Sequence, residues 1–152
     1  MKVIIGADHA GYHLKEEIKE YIRALGHEVV DVGAAAYDPT DDYPDFARAV
    51  GEAIARREGE RGVLICGSGV GASVAANKIP GVRAAICHDT YSARQGVEHD
   101  DMNVLTLGAR VVGTEVAKEA VAAFLNAHFD GGERFQRRLD KILALEKKYS
   151  GS

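Results

Sequence analysis

A chain of 152 residues, of which 46% are hydrophobic and 28% charged, is long enough for one domain with a buried core. Its formal charge of −4, from 19 basic and 23 acidic side chains, argues against a nucleic-acid-binding surface. No apolar run approaches the roughly 18 residues that a membrane span requires, so we expect neither a nucleic acid nor a membrane as a partner.

Short apolar runs alternate with amphipathic stretches along the first half of the chain, a pattern typical of βα units. The opening segment is predicted to be a strand, and it lacks the basic start and long apolar stretch of a signal peptide, so we expect a cytoplasmic protein. The elements predicted here are a strand over 3–5, a helix over 12–25, a strand over 28–32, a polar loop over 33–42 and a helix over about 45–57.

The same alternation continues in the second half. The predicted elements are strands over 63–66, 82–87 and 104–107, and helices over 70–77, near 91–97, over 113–127 and over 133–148. Because the strands are apolar throughout, we expect a parallel sheet that is covered on both faces. The sequence therefore predicts a single α/β domain over 1–152 with a five-stranded parallel sheet, and a charged last helix that packs on a partner subunit.

A glycine-rich turn, CGSGVG over 66–71, follows the third predicted strand. Its glycines allow backbone amides to approach a ligand, and the dipole of the next helix adds partial positive charge. Such a turn can bind a phosphate or stabilise an enediolate. Cys66 lies at its mouth, where a thiol ionises more readily, and is a candidate base or nucleophile. Cys87 also ends a strand, but no glycines follow it, and we expect a core residue.

The same turn permits a second interpretation. Gly67, Gly69 and Ala72 fit the dinucleotide fingerprint G-x-G-x-x-A after a strand, and Asp89 lies at about the offset of the acidic ribose contact. Glycine-rich βα turns are common, so a nucleotide-binding module stays open as an alternative.

Polar residues elsewhere add candidates. Asp8 and His9 follow the first strand, and the carboxyl ends of parallel strands line one crevice, so they can meet Cys66 there. His99 lies among three carboxylates in the segment 98–101. Neighbouring residues rarely all point at one ion, so we expect a solvated acidic turn and not a metal site, with His99 as a candidate acid–base group.

Several separated segments resemble type B ribose-5-phosphate isomerases and their relatives that act on other aldose phosphates. The matching segments are GADHAG at 6–11, DYP at 42–44, GVLICGSGVGASVAANK at 62–78, GVRA at 81–84, NVL at 103–105 and LGARVVG at 107–113. The resemblance runs from about residue 2 to 146. It implies a Rossmann-like αβα sandwich as the fold and an enzyme of the pentose phosphate pathway. It also implies a sugar phosphate as ligand and a homodimer, possibly paired into a tetramer, with active sites built from both subunits.

The resemblance further implies roles for individual residues. Cys66 would move a proton between C1 and C2 of the sugar through a cis-enediolate, and His99, helped by Asp8, would open the furanose ring. The developing oxyanion would be held by the turn, namely by Ser68 and the amides of Gly67, Gly69, Val70 and Gly71. The remaining substrate contacts would come from His9, Arg110, Arg134 and Arg138 at the phosphate, and from Tyr43 and Asp100 at the sugar. No metal or organic cofactor is expected.

Two departures from the family pattern bear on the substrate. Asp100 stands where Asn is common, and a carboxylate cannot donate the hydrogen bond that an amide would give to the sugar. Placing Arg134 and Arg138 needs one extra residue after 131–132. Ribose 5-phosphate is the first expectation, while tetrose phosphates, allose 6-phosphate and galactose 6-phosphate stay open. An inactive relative with a structural or regulatory role is a third alternative.

Overall fold

The computed structural model describes residues 1–150, and its centre is a five-stranded parallel β-sheet, as predicted. The strand order is β2-β1-β3-β5-β4. The strands are β1 (Lys2–Ala7), β2 (Glu28–Asp31), β3 (Arg61–Cys66), β4 (Ala84–Ile86) and β5 (Val104–Gly108).

Six α-helices connect and follow these strands. They are α1 (Tyr12–Ala24), α2 (Tyr43–Ala55), α3 (Val70–Ala76), α4 (Thr90–Asp100), α5 (Thr114–Asn126) and α6 (Glu133–Ser150), and a single 3-10 turn spans His9–Gly11. The helix α2 begins two residues earlier than predicted, with Pro44 in its first turn, where a missing N–H costs nothing. Within residues 1–150, no helix has both the length and the apolar content that crossing a lipid bilayer would require.

Two predictions, for the fourth strand and for the segment 98–101, are wrong. The fourth strand covers only Ala84–Ile86, because the N–H of Val82 bonds the Ile79 carbonyl in a turn and the N–H of Arg83 bonds the Asn103 side chain. The segment 98–101 is not an acidic turn, since residues 98–100 form the last turn of α4.

The alternation of side chains along the strands divides the core between the two faces of the sheet. One cluster packs β1, β3 and β5 against α1, α4 and α5, and the other packs the opposite face against α2 and α3. Since β1, β3 and β5 are neighbours and run parallel, their carboxyl ends meet at one edge. The segments after these three strands therefore lie close together.

Lys15 in α1 is a charged side chain with no exposed surface. Its Nζ donates to both carboxylate oxygens of Asp31 at 2.9 Å and to the carbonyl oxygen of Ala34 at 2.6 Å. The carboxylate of Glu16 lies 3.4 Å away. These contacts fix the start of the loop 33–42 against α1, so the position of that loop depends on a buried ion pair.

Candidate active site

A cleft of about 360 Å³ lies where the segments after β1, β3 and β5 meet. In parallel sheets this edge is the usual place for a ligand. Eight of the residues predicted for the site line it: Asp8, His9, Tyr43, Cys66, Gly67, Ser68, Gly71 and Arg110. The fold thus brings together residues that are up to 102 positions apart in the sequence.

The turn after β3 directs a backbone amide at the thiol of Cys66. The N–H of Gly69 donates to Sγ of Cys66 at 3.1 Å, and the N–H of Val70 donates to the Ser68 hydroxyl oxygen at 3.1 Å. Gly69 has φ 82°, a left-handed conformation that glycine adopts without strain. The thiol is only 4% exposed and faces a cleft whose walls supply hydrogen-bond donors.

Three further glycines let other elements approach this turn. A Cβ atom on Gly108 would lie 2.5 Å from the main-chain carbon of Ser68, and one on Gly71 would lie 2.5 Å from the ring of Tyr43. A Cβ atom on Gly67 would lie 3.3 Å from a guanidinium nitrogen of Arg110. Because these glycines have no side chains, β5, the Tyr43 ring and the Arg110 guanidinium can pack closely against the turn.

His9 is held by a carboxylate that the sequence analysis did not predict. Oδ1 of Asp41 accepts the main-chain N–H of His9 at 2.9 Å and lies 2.7 Å from its Nδ1. This hydrogen bond is the main cause that raises the pKa of His9 above its ordinary value of 6.5. Asp41 was missed because it lies in a polar loop, 32 residues away in sequence, with no local pattern that marks it.

Asp8 completes this corner of the cleft. It is buried, and its Oδ1 accepts the N–H of Gly11 at 3.1 Å. Donor atoms of Asp8, His9 and Asp41 lie within 4.8 Å of one another, the closest approach to a metal-ligand arrangement in residues 1–150. The hydrogen bond between His9 and Asp41 already accounts for this spacing.

Six predicted residues are not among those that line the cleft: Gly69 and Val70, which belong to the turn itself, and His99, Asp100, Arg134 and Arg138. The His99 ring stacks on the Phe135 ring of α6, with a centroid distance of 4.4 Å. The guanidinium of Arg134 lies 4.7 Å from the centroid of the Phe135 ring. We call His99, Asp100, Arg134 and Arg138 the His99 surface. These residues lie on α4 and α6.

Cys87 is a core residue, as predicted. It is 4% exposed within the apolar cluster between the sheet and α4 and α5. Burial, with a smaller contribution from the Asp89 carboxylate, raises the pKa of its thiol to about 11. Such a thiol stays protonated near neutral pH and is a poor base.

Comparison with known proteins gives separate evidence on the family. The family model described as Ribose/Galactose Isomerase matches residues 3–142. The chain belongs to the ribose/galactose isomerase family. The resemblance found in the motifs is thereby confirmed. The matched residues 3–142 include both cysteines and all the residues that line the cleft.

Members of the ribose/galactose isomerase family with different names are similar to this chain over most of its length. Ribose-5-phosphate isomerase B of Escherichia coli is 46% identical over 97% of this chain and 97% of its own. D-erythrulose-4-phosphate isomerase of Pectobacterium atrosepticum is 44% identical over 87% of each chain. A crystal structure of ribose-5-phosphate isomerase B from Mycoplasma genitalium with bound ribulose-5-phosphate is 42% identical, covers 97% of each chain and has a TM-score of 0.91.

Proposed function

We propose that this chain is an aldose–ketose isomerase that interconverts ribose 5-phosphate and ribulose 5-phosphate. The observation that carries the proposal is Cys66 in the cleft, with an amide 3.1 Å from its Sγ and the side chains of Asp8, His9 and Arg110 around it. A base, donors for an oxyanion and cations for a phosphate are the groups that this isomerisation requires. The bound ribulose-5-phosphate of the Mycoplasma relative supports the choice of sugar.

The reaction needs one base and one anion-binding turn. The Cys66 thiolate removes the proton from C2 of the open-chain aldose and leaves a cis-enediolate. The thiol returns that proton to C1, while the hydroxyl proton passes from O2 to O1. The turn amides and the Ser68 hydroxyl stabilise the negative charge of the intermediate. This assignment makes proton transfer depend on Cys66 and phosphate binding on His9 and Arg110.

The proposal includes a homodimer in which a second copy completes each cleft. The residues proposed for ring opening and for the further phosphate contacts, namely His99, Arg134 and Arg138, do not line the cleft of their own chain. Two valines one turn apart on α3, Val70 and Val74, are 53% and 58% exposed, as expected for a face that another chain covers. Docking the His99 surface and α6 of the partner on this face would supply His99, Arg134 and Arg138. Whether two dimers pair into a tetramer can be measured by light scattering.

A coupled assay with EDTA, run on pentose, tetrose and hexose phosphates, tests the substrate. We expect ribose 5-phosphate to have the highest kcat/KM. A higher kcat/KM with a tetrose phosphate or with allose or galactose 6-phosphate would support the isomerase chemistry but assign a different substrate. Asp100 would then be the first position to mutate in a test of substrate specificity. No turnover of any of these would contradict the isomerase and favour the nucleotide-binding alternative. The proposed location is the cytoplasm, and two free thiols support it.

Mixing two inactive variants tests the shared site. Cys66→Ala and His99→Asn each disable both sites of their own dimer. If each site takes these residues from different subunits, every mixed dimer has one intact site and one doubly changed site. Random exchange makes half of the dimers mixed, so we expect about a quarter of the wild-type activity. A mixture that exchanges subunits, as followed by native mass spectrometry, and stays inactive would contradict the shared site.

A further inference from the structure

We propose that Asp41 is a positioning residue for His9, which it holds in the orientation that presents Nε2 to an anion in the cleft. The inference rests on the proposed function, which makes a sugar phosphate the anion. Neither the motifs nor the resemblance assigns a role to Asp41. Its place in the reaction follows from two hydrogen bonds and from the way the loop 33–42 is fixed.

One carboxylate oxygen fixes both the backbone and the ring of His9. Oδ1 of Asp41 accepts the His9 main-chain N–H at 2.9 Å and pairs with Nδ1 at 2.7 Å. A ring flip would break the second bond, so Nε2 is the nitrogen left for a ligand. Within residues 1–150 no hydrogen bond to Nε2 is formed, and His9 lines the cleft beside Arg110. The side chains of His9 and Asp41 are 26% and 12% exposed, which limits the screening of this pair by water.

The loop that carries Asp41 has its own supports. Lys15 bonds the Ala34 carbonyl at the loop's start, and the Asp38 carboxylate accepts the N–H and the hydroxyl of Thr40. The N–H of Asp41 then donates to the Asp38 carbonyl at 3.1 Å. These bonds fix the carboxylate before any ligand arrives, so its effect on His9 does not depend on binding.

The charges around His9 determine how its protonation varies with pH. The Asp41 hydrogen bond is the largest cause that raises the His9 pKa, burial opposes it, Asp8 adds to it, and Arg110 opposes it from the segment after β5. The Asp38 carboxylate, whose own pKa is lowered mainly by Thr40, also interacts with His9. A raised pKa keeps the imidazolium present as pH rises past 6.5, so its charge-assisted bond to phosphate is lost only above the raised value.

The variant Asp41→Asn keeps an oxygen acceptor of nearly the same shape and removes the charge. We expect KM for ribose 5-phosphate to rise by about tenfold at pH 8 and by less than about twofold at pH 6, because loss of the Asp41 charge lowers the His9 pKa and the imidazolium is then lost first at the higher pH. kcat should change by less than about twofold, because phosphate binding is shared by substrate and transition state. The ratio of variant to wild-type KM at one pH cancels the ionisation of the substrate phosphate.

The matched control is Asp42→Asn. It removes one negative charge next to Asp41 in the same loop, but its side chain is exposed and forms no cap hydrogen bond, so its KM should follow the wild type at both pH values. A KM ratio for Asp41→Asn that is the same at pH 6 and pH 8, or an equal effect in both variants, would overturn the positioning role. Unchanged KM in active protein would overturn it as well, and would leave the isomerase proposal intact.

A measurement on the unchanged protein guards against a variant that fails to fold. The His9 ring is titrated by ¹⁵N NMR, with its signals assigned from a His9→Gln sample. We expect a pKa above 6.5 and, at high pH, a proton on Nδ1 with Nε2 bare. A pKa at or below 6.5, or the opposite tautomer, would overturn the proposal whatever the variants do. If the wild type turns over no sugar phosphate, the proposed function fails first.

Discussion

Cys66 and Cys87 are alike by the usual measures and lie in different chemical surroundings. Cys66 ends β3 and Cys87 directly follows β4. Each is a free thiol, and each is 4% exposed. The thiol of Cys66 accepts an amide N–H and faces the cleft, whereas Cys87 lies in the apolar core with a pKa raised to about 11. Exposure does not separate the proposed catalytic cysteine from the core cysteine here. The backbone after the strand does.

The two helices that follow these cysteines explain the contrast. The helix α4 begins after Asp89, whose carboxylate accepts the Ser92 N–H at 2.7 Å, so its first turn is capped by its own chain. The helix α3 begins after Gly69, which has no side chain to offer and forms no such cap. Among the first-turn amides of α3 in the described chain, only the Val70 N–H donates to a side chain, the Ser68 hydroxyl, so those of Gly71 and Ala72 are available for an anion. Asp89 is also engaged in its cap, which weakens the nucleotide-binding alternative that used it as a ribose contact.

The largest difference is expected between Cys66→Ala and Cys87→Ala. Loss of a positioned base should reduce kcat by 10²–10⁴-fold or more in the first variant. The second should stay within about twofold of wild-type kcat, since only a small buried side chain is truncated. Steady-state kinetics with ribose 5-phosphate, on samples whose circular dichroism matches the wild type, measures both. A Cys66→Ala enzyme with wild-type kcat would remove the thiol from the mechanism.

A smaller difference is expected between Gly108→Ala and Gly81→Ala. The added methyl group at Gly108 would meet the main chain of Ser68 at 2.5 Å and displace the turn, so kcat should fall by about 10- to 100-fold. Gly81 has φ 90° with nothing within 4 Å of a Cβ atom, so its variant loses about 1 kcal/mol of folding stability and little activity. Equal losses of kcat would show that the close contact with Ser68 is not required.

The smallest effect is expected at the cap of α4. Asp89→Ala removes the acceptor for Ser92 and should lower the free energy of unfolding by about 1 kcal/mol. Its kcat/KM should stay within about twofold, because the cap belongs to the helix after Cys87. Urea unfolding and the coupled assay check the two numbers. A large loss of activity without a loss of stability would mean that the region after Cys87 takes part in the reaction.

The sequence predicted the sheet and the turn because their patterns are local. Five apolar runs and the glycines after Cys66 are visible within short windows, and both predictions are confirmed. The boundary of β4 failed because Val82 continues the apolar run, while its N–H bonds the Ile79 carbonyl in a turn. The last turn of α4 was missed because acidic residues favour loops, and here Asp101 ends the helix in a left-handed conformation.

The site was only partly predictable for a different reason. Seven of the eight predicted residues that line the cleft lie at or just after the ends of β1, β3 and β5, whose carboxyl ends must meet, whereas Tyr43 begins α2. Asp41 was missed since its contact with His9 depends on how a loop folds back over 32 residues. The roles of His99, Arg134 and Arg138 came from resemblance alone, and their side chains lie outside the cleft of a single chain. Those assignments stay predictions.

The buried Lys15 also constrains the order in which mutations can accumulate. If Lys15 changes first to methionine, Asp31 keeps Lys19 as a partner at 2.8 Å and partial contact with solvent. If Asp31 changes first, an ammonium group with no exposed surface loses two hydrogen bonds in the protein interior. We therefore expect substitution of Lys15 before Asp31 to be tolerated better than the reverse order. Because the same ammonium supports the loop before Tyr43, that evolutionary route also constrains how the proposed sugar pocket can change.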